Sequence, residues 1–387
     1  MSRILFITED YPSGLNGTSV KTRNTLLFLL KQNVEIDLCC VHNGEIVNRI
    51  NLDKLRTFIV EKKIPPKLSI RNILRIIRLL ISVNPLFVQR LFTLELNLLI
   101  KTLLRSNEYS YIIYDGYSTL IHVVKTQTEQ IYIDDEDITD LLFKRFQSEK
   151  FWLKKTQFYV DYLKSKIYEK KYLIQIDQVW AISPNTKKRL QSLTPAKTVL
   201  MPTYIPLAEN IYDKKSKDVV FTGTLSWEEN IVGLKWFLQN YWPGIVRTCP
   251  NSILHIIGRE ANLDLVEYIK SFSQVKYWGY VEDLKKVYEN CAVAISPVLI
   301  NAGIKVKVLT YLRFGLPVVA TKKSVLGLVS TKGVKIGTQK NFGSEVTSLL
   351  QSSTERQLLS QAGHLNIKQN YNNHHLELFL KKNVCLI

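Results

Sequence analysis

Acidic side chains are scarce in this sequence: 34 Asp and Glu stand against 52 Lys and Arg, a formal charge of +18 at pH 7. The imbalance argues for an anionic partner, whether nucleic acid, an acidic membrane surface or a phosphorylated substrate. A merely basic, well-solvated surface is the plainer alternative. Cysteine is sparse as well. The five residues (Cys39, Cys40, Cys249, Cys291, Cys385) form no CxxC pair and leave one over, so they read as small buried hydrophobes in a reducing compartment. No run of 18 apolar residues occurs, and nothing reads as a membrane span. The opening MSRILFITED is charged at Arg3 and acidic by Glu9, which does not read as a signal peptide. With only 16 Gly and 12 Pro, and with 46% apolar residues, the chain is neither fibrous nor disordered. Fixed-period repeats and low-complexity tracts are absent.

What is present is a rhythm of short apolar runs and amphipathic segments. RILFI is bounded by polar residues, as a buried parallel strand would be. A loop with Pro12, Gly14 and Gly17 follows, then the helical VKTRNTLLFLLKQN and the strand-like VEIDLCCV. The same alternation recurs through YSYIIYDG, STLIHVVKT, QIYIDDED and DQVWAIS. TYIPLAENIYDKKSK breaks it with a proline and a run of lysines, and it restarts at DVVFTGTL. NIVGLKWFLQNYWPGI reads as one helix, SILHIIGRE, VKYWGYV, VAISPVL and PVVAT as strands, and DLKKVYENC and KVKVLTYLRF as helices. At 387 residues the length suits two domains. The fold class expected is therefore α/β, with two doubly wound Rossmann-like domains. They are assigned to 1–205 and 206–368, with 369–387 a C-terminal helix packing back toward the first domain. Ligands of such sheets bind at the carboxyl ends of the strands, so the loops there matter most.

One of those loops is unusual. NAGIKVKVLTYLRFGLPVVAT places Lys305 and Lys307 at the mouth of an apolar helix expected to begin near Ile304. Helix-start N–H groups favour anions, and Ala302 and Gly303 leave the backbone open to a phosphate. Two cations there oppose the helix dipole by about 0.3–1 kcal/mol each, a penalty that a bound diphosphate would remove. The alternative is that both lysines simply point into solvent. They do not share one helical face, which favours Lys307 as the phosphate contact.

FTGTLSWEENIVGLKWFLQNYWPGI, SILHIIGRE, VKYWGYVEDLKKVYENCAVAISP and AGIKVKVLTYLRFGLPVVAT, in this order, resemble the donor-binding domain of GT-B glycosyltransferases, family 4 most of all. RILFITEDYPSGLNGTSVKTRN and DQVWAISPNTKKRL match the N-terminal domain more loosely. The resemblance implies two domains facing each other across a cleft that holds a nucleotide-diphosphate sugar. A UDP-sugar is the first candidate and a GDP-sugar the second, with no metal and no cofactor. It implies that Lys305 and Lys307 serve the diphosphate, that Gly223 and Thr224 lie close to the phosphates, and that Asn230 contacts the ligand or caps its helix. Arg259, after Gly258, would face the phosphates or solvent. Tyr280 and Val281 would cup the nucleobase. Gly17 would belong to a loop closing over the donor, or be an ordinary turn glycine. Ala302, Gly303, Ile304 and Thr310 complete the implied donor site. Family 4 enzymes commonly carry glutamates where this chain has Ala302 and Thr310. The first glutamate touches the sugar and the second clamps the ribose. A threonine hydroxyl at 310 gives a weaker, uncharged contact.

On the acceptor side, YIDDEDITD gathers Asp134, Asp135, Glu136, Asp137 and Asp140 behind an apolar strand, suited to sugar hydroxyls or to acting as a base. A metal site or a solvated acidic loop with an Asp cap are its other readings. By resemblance, Glu136 and Asp137 stand where relatives place an acceptor-contacting His-Asp pair. Asp115 and His122 fall near the same region. KLSIRNILRIIRLLISVNP, with Arg71, Arg75 and Arg78, and KRFQSEKFWLKKTQFYVDYLKSKIYEKKY read as basic amphipathic stretches or as ordinary surface helices with one face buried. Together these features point to a hexosyltransferase of bacterial cell-surface polysaccharide synthesis. The resemblance implies retention of anomeric configuration; the enzyme would lie in the cytoplasm against the inner face of the plasma membrane, take a glycan or lipid-linked acceptor and bind no nucleic acid. The competing readings are a sugar-nucleotide-binding partner that has lost catalysis, a non-transferase GT-B enzyme such as a sugar-nucleotide epimerase, and a nucleic-acid binder.

Overall fold

The computed structural model describes residues 2–13, 17–32, 34–42, 46, 49–61, 82–134, 137–213, 215–300 and 304–384. The chain divides into two compact units, Met1–Pro202 with Leu378–Ile387, and Thr203–Glu377.

The first unit is built on seven parallel strands: β1 (Arg3–Thr8), β2 (Glu35–Val41), β3 (Leu55–Val60), β4 (Tyr111–Asp115), β5 (Glu129–Asp134), β6 (Gln178–Ala181) and β7 (Lys197–Leu200). Their spatial order is β3-β2-β1-β4-β5-β6-β7. Strands covered on both faces must be apolar throughout, and Ile4, Leu5, Phe6, Ile7, Ile112 and Ile113 are fully buried. The order reverses between β1 and β4, which opens a crevice at their carboxyl ends. The segment Leu378–Ile387 groups with this unit. Phe379 lies edge-on to Trp180 of β6 at 5.0 Å, and Asn383 accepts from the Gln178 amide at 2.8 Å through its carbonyl.

The second unit holds six parallel strands: β8 (Asp218–Thr222), β9 (Leu254–Ile257), β10 (Val275–Gly279), β11 (Cys291–Ser296), β12 (Val318–Thr321) and β13 (Val334–Gly337). They are ordered β10-β9-β8-β11-β12-β13, and the reversal falls between β8 and β11. The two strands that flank it each feed a helix, Glu228–Asn240 after β8 and Val306–Arg313 after β11. Gly233 allows the first of these to lie against the loop after β11, because a Cβ there would stand 2.2 Å from the Pro297 carbonyl oxygen. The stretch expected to be one helix over NIVGLKWFLQNYWPGI is two, Glu228–Asn240 and Trp242–Thr248. Pro243 has no N–H to continue the first helix and is tolerated in the opening turn of the next.

Candidate donor and acceptor sites

In the second unit several of the candidate side chains converge at the switch point. The Val306–Arg313 helix starts two residues later than expected, and Lys305 is its N-cap residue. Neither lysine simply reaches into solvent. Lys305 is buried, and its Nζ donates to Glu229 Oε2 at 2.8 Å. Lys307 Nζ donates to Asn230 Oδ1 at 2.5 Å and lies 4.5 Å from the centre of the Phe221 ring on β8. Glu229 and Asn230 are neighbours in the first turn of the facing helix, so the cap lysine and the first-turn lysine meet the same helix start. Burial pushes the Lys307 ammonium down to about 7; Glu229 raises it and Lys305 lowers it further. The site thus concentrates positive charge at a helix N-terminus with only one carboxylate among these contacts. Such an arrangement favours an entering dianion.

The cap reading of Asn230 is corrected here. Trp227 holds the cap position, and the Asn230 amide instead donates to the Thr224 carbonyl at 2.9 Å while accepting from Lys307. The residue therefore ties the turn after β8 to the lysine. Gly223 lies beneath this amide, where an added Cβ would be 2.9 Å from it. The turns after β8 and β9 touch: a Cβ on Gly258 would be 2.1 Å from the Gly223 carbonyl oxygen, and Leu225 N–H donates to the Arg259 carbonyl. Arg259 Nε stands 3.2 Å from Glu260 Oε1. Tyr280 follows β10 and is exposed, whereas Val281 packs partly against the core under β12. The Thr310 hydroxyl donates back to the Val306 carbonyl at 3.0 Å, the usual bond of a helical threonine, so its proton is engaged within the helix. Ile304 is half-buried beside the same core. Ala302 and Gly303 lie outside the described residues.

In the first unit, polar groups collect at the carboxyl ends of β1, β4 and β5. Glu9 Oε1 accepts from the Ser118 N–H at 2.7 Å, and burial pushes its carboxyl above the ordinary range. Asp115 Oδ1 lies 3.5 Å from Lys21 Nζ, and its buried Oδ2 makes no hydrogen bond. Asp134 accepts from the Tyr132 hydroxyl at 2.5 Å, and its other oxygen is likewise buried and unpartnered. Burial raises Asp134 to about 7 against the opposing pull of Arg189. Asp137 caps the Ile138–Ser148 helix by accepting from Asp140 N–H at 3.0 Å, and accepts from Arg189 Nε at 2.7 Å. Arg189 also binds Glu169 at 2.7 Å. His122 is buried and stacks on Phe92 at 5.7 Å, and burial lowers it to about 4. That is the behaviour of a structural imidazole. Glu136 and Asp135 lie outside the described residues. Gly17 is the first residue of the Gly17–Lys31 helix rather than part of a turn, and the loop before it is outside them too.

Residues 216–352 match the family model of glycosyl transferases group 1. Over this stretch the chain is similar to group 1 glycosyltransferases. A Klebsiella pneumoniae protein described as an uncharacterized 44.6 kDa protein in the cps region is similar over 353 residues at 23% identity, covering 87% of both chains. WaaG, a glycosyltransferase involved in lipopolysaccharide biosynthesis, has a similar structure with a TM-score of 0.67 at 11% identity, covering 99% of this chain and 100% of that one. A point mutant of S. aureus TarM, in complex with Fondaparinux, alpha-GlcNAc-glycerol and UDP, gives a TM-score of 0.70 at 10% identity, covering 98% and 99%. The fold of the chain is thus GT-B, two doubly wound α/β units, as the resemblance implies.

Two features of the second unit escaped the sequence. Glu229 reads there as an ordinary acidic residue in a first helical turn, a placement the helix dipole favours in any protein. Only the structure pairs it with Lys305. Tyr311 reads as core, yet its hydroxyl accepts from the Thr222 N–H at 2.7 Å and fixes the end of β8 to the lysine-bearing helix. The alternation of apolar neighbours in VKVLTYLRF gave no sign of that polar tip.

Proposed function

We propose that the glycosyltransferase moves a hexose or similar sugar from a nucleotide diphosphate, UDP before GDP, to a glycan or lipid-linked acceptor during synthesis of a bacterial cell-surface polysaccharide. The single observation that carries the donor half is the convergence of Lys305 and Lys307 on Glu229 and Asn230 at the switch point of the second sheet. UDP in the TarM complex, the cps-region description of the Klebsiella relative and the biosynthetic role in the WaaG name support the donor and the pathway class.

In this reading the bond between the anomeric carbon and the diphosphate oxygen breaks as negative charge builds on the leaving group. Lys305, Lys307 and the N–H groups at the helix starts stabilise that charge. The acceptor oxygen forms the new bond on the same face, with retention as in family 4, and gives up its proton to the leaving phosphate. Acceptor hydroxyls donate to the carboxylates at the end of β5, where Asp134 has a free buried oxygen and Asp137 a fixed orientation. Asn230, Gly223, Thr224 and Gly258 shape the phosphate floor, Arg259 borders it, and Tyr280 offers an exposed ring to the base. The enzyme would work in the cytoplasm at the inner face of the plasma membrane, where lipid-linked acceptors are met.

One observation favours a second reading, a sugar-nucleotide-binding partner without turnover: the Thr310 hydroxyl is already bonded to Val306 where family 4 enzymes commonly place a ribose-clamping glutamate. Incubation with a panel of UDP- and GDP-sugars, reading released nucleotide with and without lipid-linked glycan acceptors, separates the two. Release that requires an acceptor and disappears in Lys307→Ala supports transfer. Nucleotide binding with no release from any sugar supports the second reading.

A further inference from the structure

The start of the Glu228–Asn240 helix gives each lysine of the switch point one oxygen, and the two oxygens differ in charge. Lys307 Nζ donates to the neutral Asn230 amide oxygen, whereas Lys305 Nζ donates to the Glu229 carboxylate at 2.8 Å. The Phe221 ring, with its centre 4.5 Å from the Lys307 ammonium, is a further uncharged contact that suits a cation. An amide oxygen is therefore enough to satisfy a lysine at this helix start. A glutamine at 229 would give Lys305 the same kind of bond. What the glutamate alone adds is a negative charge, at the place where a bound diphosphate would bring its own.

Two anions do not share such a place freely. The pair is withdrawn from water, with side-chain exposures of 4% for Lys305 and 10% for Glu229. Charges in that setting are poorly screened, and a second anion beside the carboxylate is repelled. Glu229 is the more exposed partner, and its chain neighbours Ser226, Trp227 and Glu228 are exposed. Its flexible side chain thus has a short way out to water, and of the two it is the one that can leave.

The charge of the nucleotide also changes during transfer. A sugar diphosphate has no terminal phosphate group, whereas the nucleotide left after transfer has one, with a second ionisation at a pKa of about 6. The product is the more anionic of the two, so an acid beside its phosphates weakens it more than it weakens the donor.

We propose that Glu229 is an internal competitor of the nucleotide diphosphate. It occupies Lys305 in the empty site, gives the lysine up when the donor enters and retakes it as the product leaves. The inference rests on the proposed donor reading. A glutamate that only held the two helix starts together would act with the opposite sign, because its loss would loosen the site and weaken the nucleotide.

The test is calorimetric titration of the full chain with UDP, comparing wild type with Glu229→Gln. The variant should bind UDP at least about tenfold tighter, because Lys305 then keeps its charge for the phosphates. In a Lys305→Met background the same change should alter affinity less than about twofold, since the two sites act through one contact. Glu229→Asp keeps the charge but ends a methylene short of Lys305, and its affinity should fall between wild type and Glu229→Gln. For a variant too unstable to titrate, thermal melting with and without UDP reads the same coupling, because tighter binding to the folded state raises the midpoint further. Binding of UDP by wild type with equal or weaker binding by Glu229→Gln overturns the proposal and leaves the donor site standing. Binding by neither protein overturns both. An equal gain in the Lys305→Met background also overturns the proposal, since the carboxylate would then act on the nucleotide without competing for the lysine.

Discussion

Lys307 is the residue on which the donor assignment turns, and its environment predicts how binding responds to pH. In the free protein burial holds its ammonium at about 7, whereas a bound diphosphate favours the charged form and raises it. Below pH 7 the lysine is already charged and affinity for UDP should be flat. Above pH 7 binding must take up a proton, so affinity should fall by up to about tenfold per pH unit until the raised value of the complex is passed. Calorimetry across pH 6–9 in buffers of different ionisation heat reads both the slope and the proton uptake; Lys307→Met should abolish both. Glu229 is predicted to matter in another way. It is the counterion of the buried Lys305, with side-chain exposures of 10% and 4%. Breaking such a pair from one side costs about 3–5 kcal/mol, while removing both charges together can be nearly neutral. Urea unfolding should therefore show Glu229→Ala strongly destabilised and Glu229→Met with Lys305→Met close to wild type. The lysines themselves were legible in the sequence because two cations at a helix mouth conflict with its dipole. Glu229 was not legible, because an acid in a first turn conflicts with nothing.

At the scale of elements, the approach of the Glu228–Asn240 helix to the loop after β11 depends on Gly233. An alanine there would bring its Cβ to 2.2 Å from the Pro297 carbonyl, so helix or loop must move. Gly233→Ala should cost about 1–3 kcal/mol in urea unfolding, in the range of other overpacked sites, and should weaken UDP binding because the same helix carries Glu229 and Asn230. Had the glycine been only an entropic defect in a helix, alanine would stabilise instead. The strands were easy to read: RILFI, YIIYD and CAVAIS are unbroken apolar runs, and only doubly covered parallel strands demand that. Strand β3, LRTFIV, was not read, since it is half-buried and alternates too weakly to stand out. The break at Tyr241 was also missed, because the apolar periodicity continues across Pro243 into the next helix. Asp137 carries the same lesson at the acceptor side: an Asp cap at the strand end was among the sequence readings, but the bond from Arg189 depends on a helix far along the chain.

For the whole molecule, the charge of +18 means that an anionic donor approaches through an attractive field. Association of UDP should slow several-fold as salt rises from about 50 to about 500 mM, because screening shortens the reach of that field. Stopped-flow measurement of the on-rate checks this, and dissociation should change much less. The two doubly wound units were legible from alternation alone. The division of chemistry between them was legible only in part: basic groups at the switch point of the second sheet, and carboxylates at the strand ends of the first. The central claim is that the second unit is a working nucleotide-diphosphate site held by Lys307. Calorimetric titration with UDP, GDP and ADP, comparing wild type with Lys307→Ala, tests it most directly. The account predicts that UDP binds best and that the substitution weakens it at least about tenfold, as loss of a charge-assisted contact should. Binding of none of the three, or equal binding by both proteins, would contradict it.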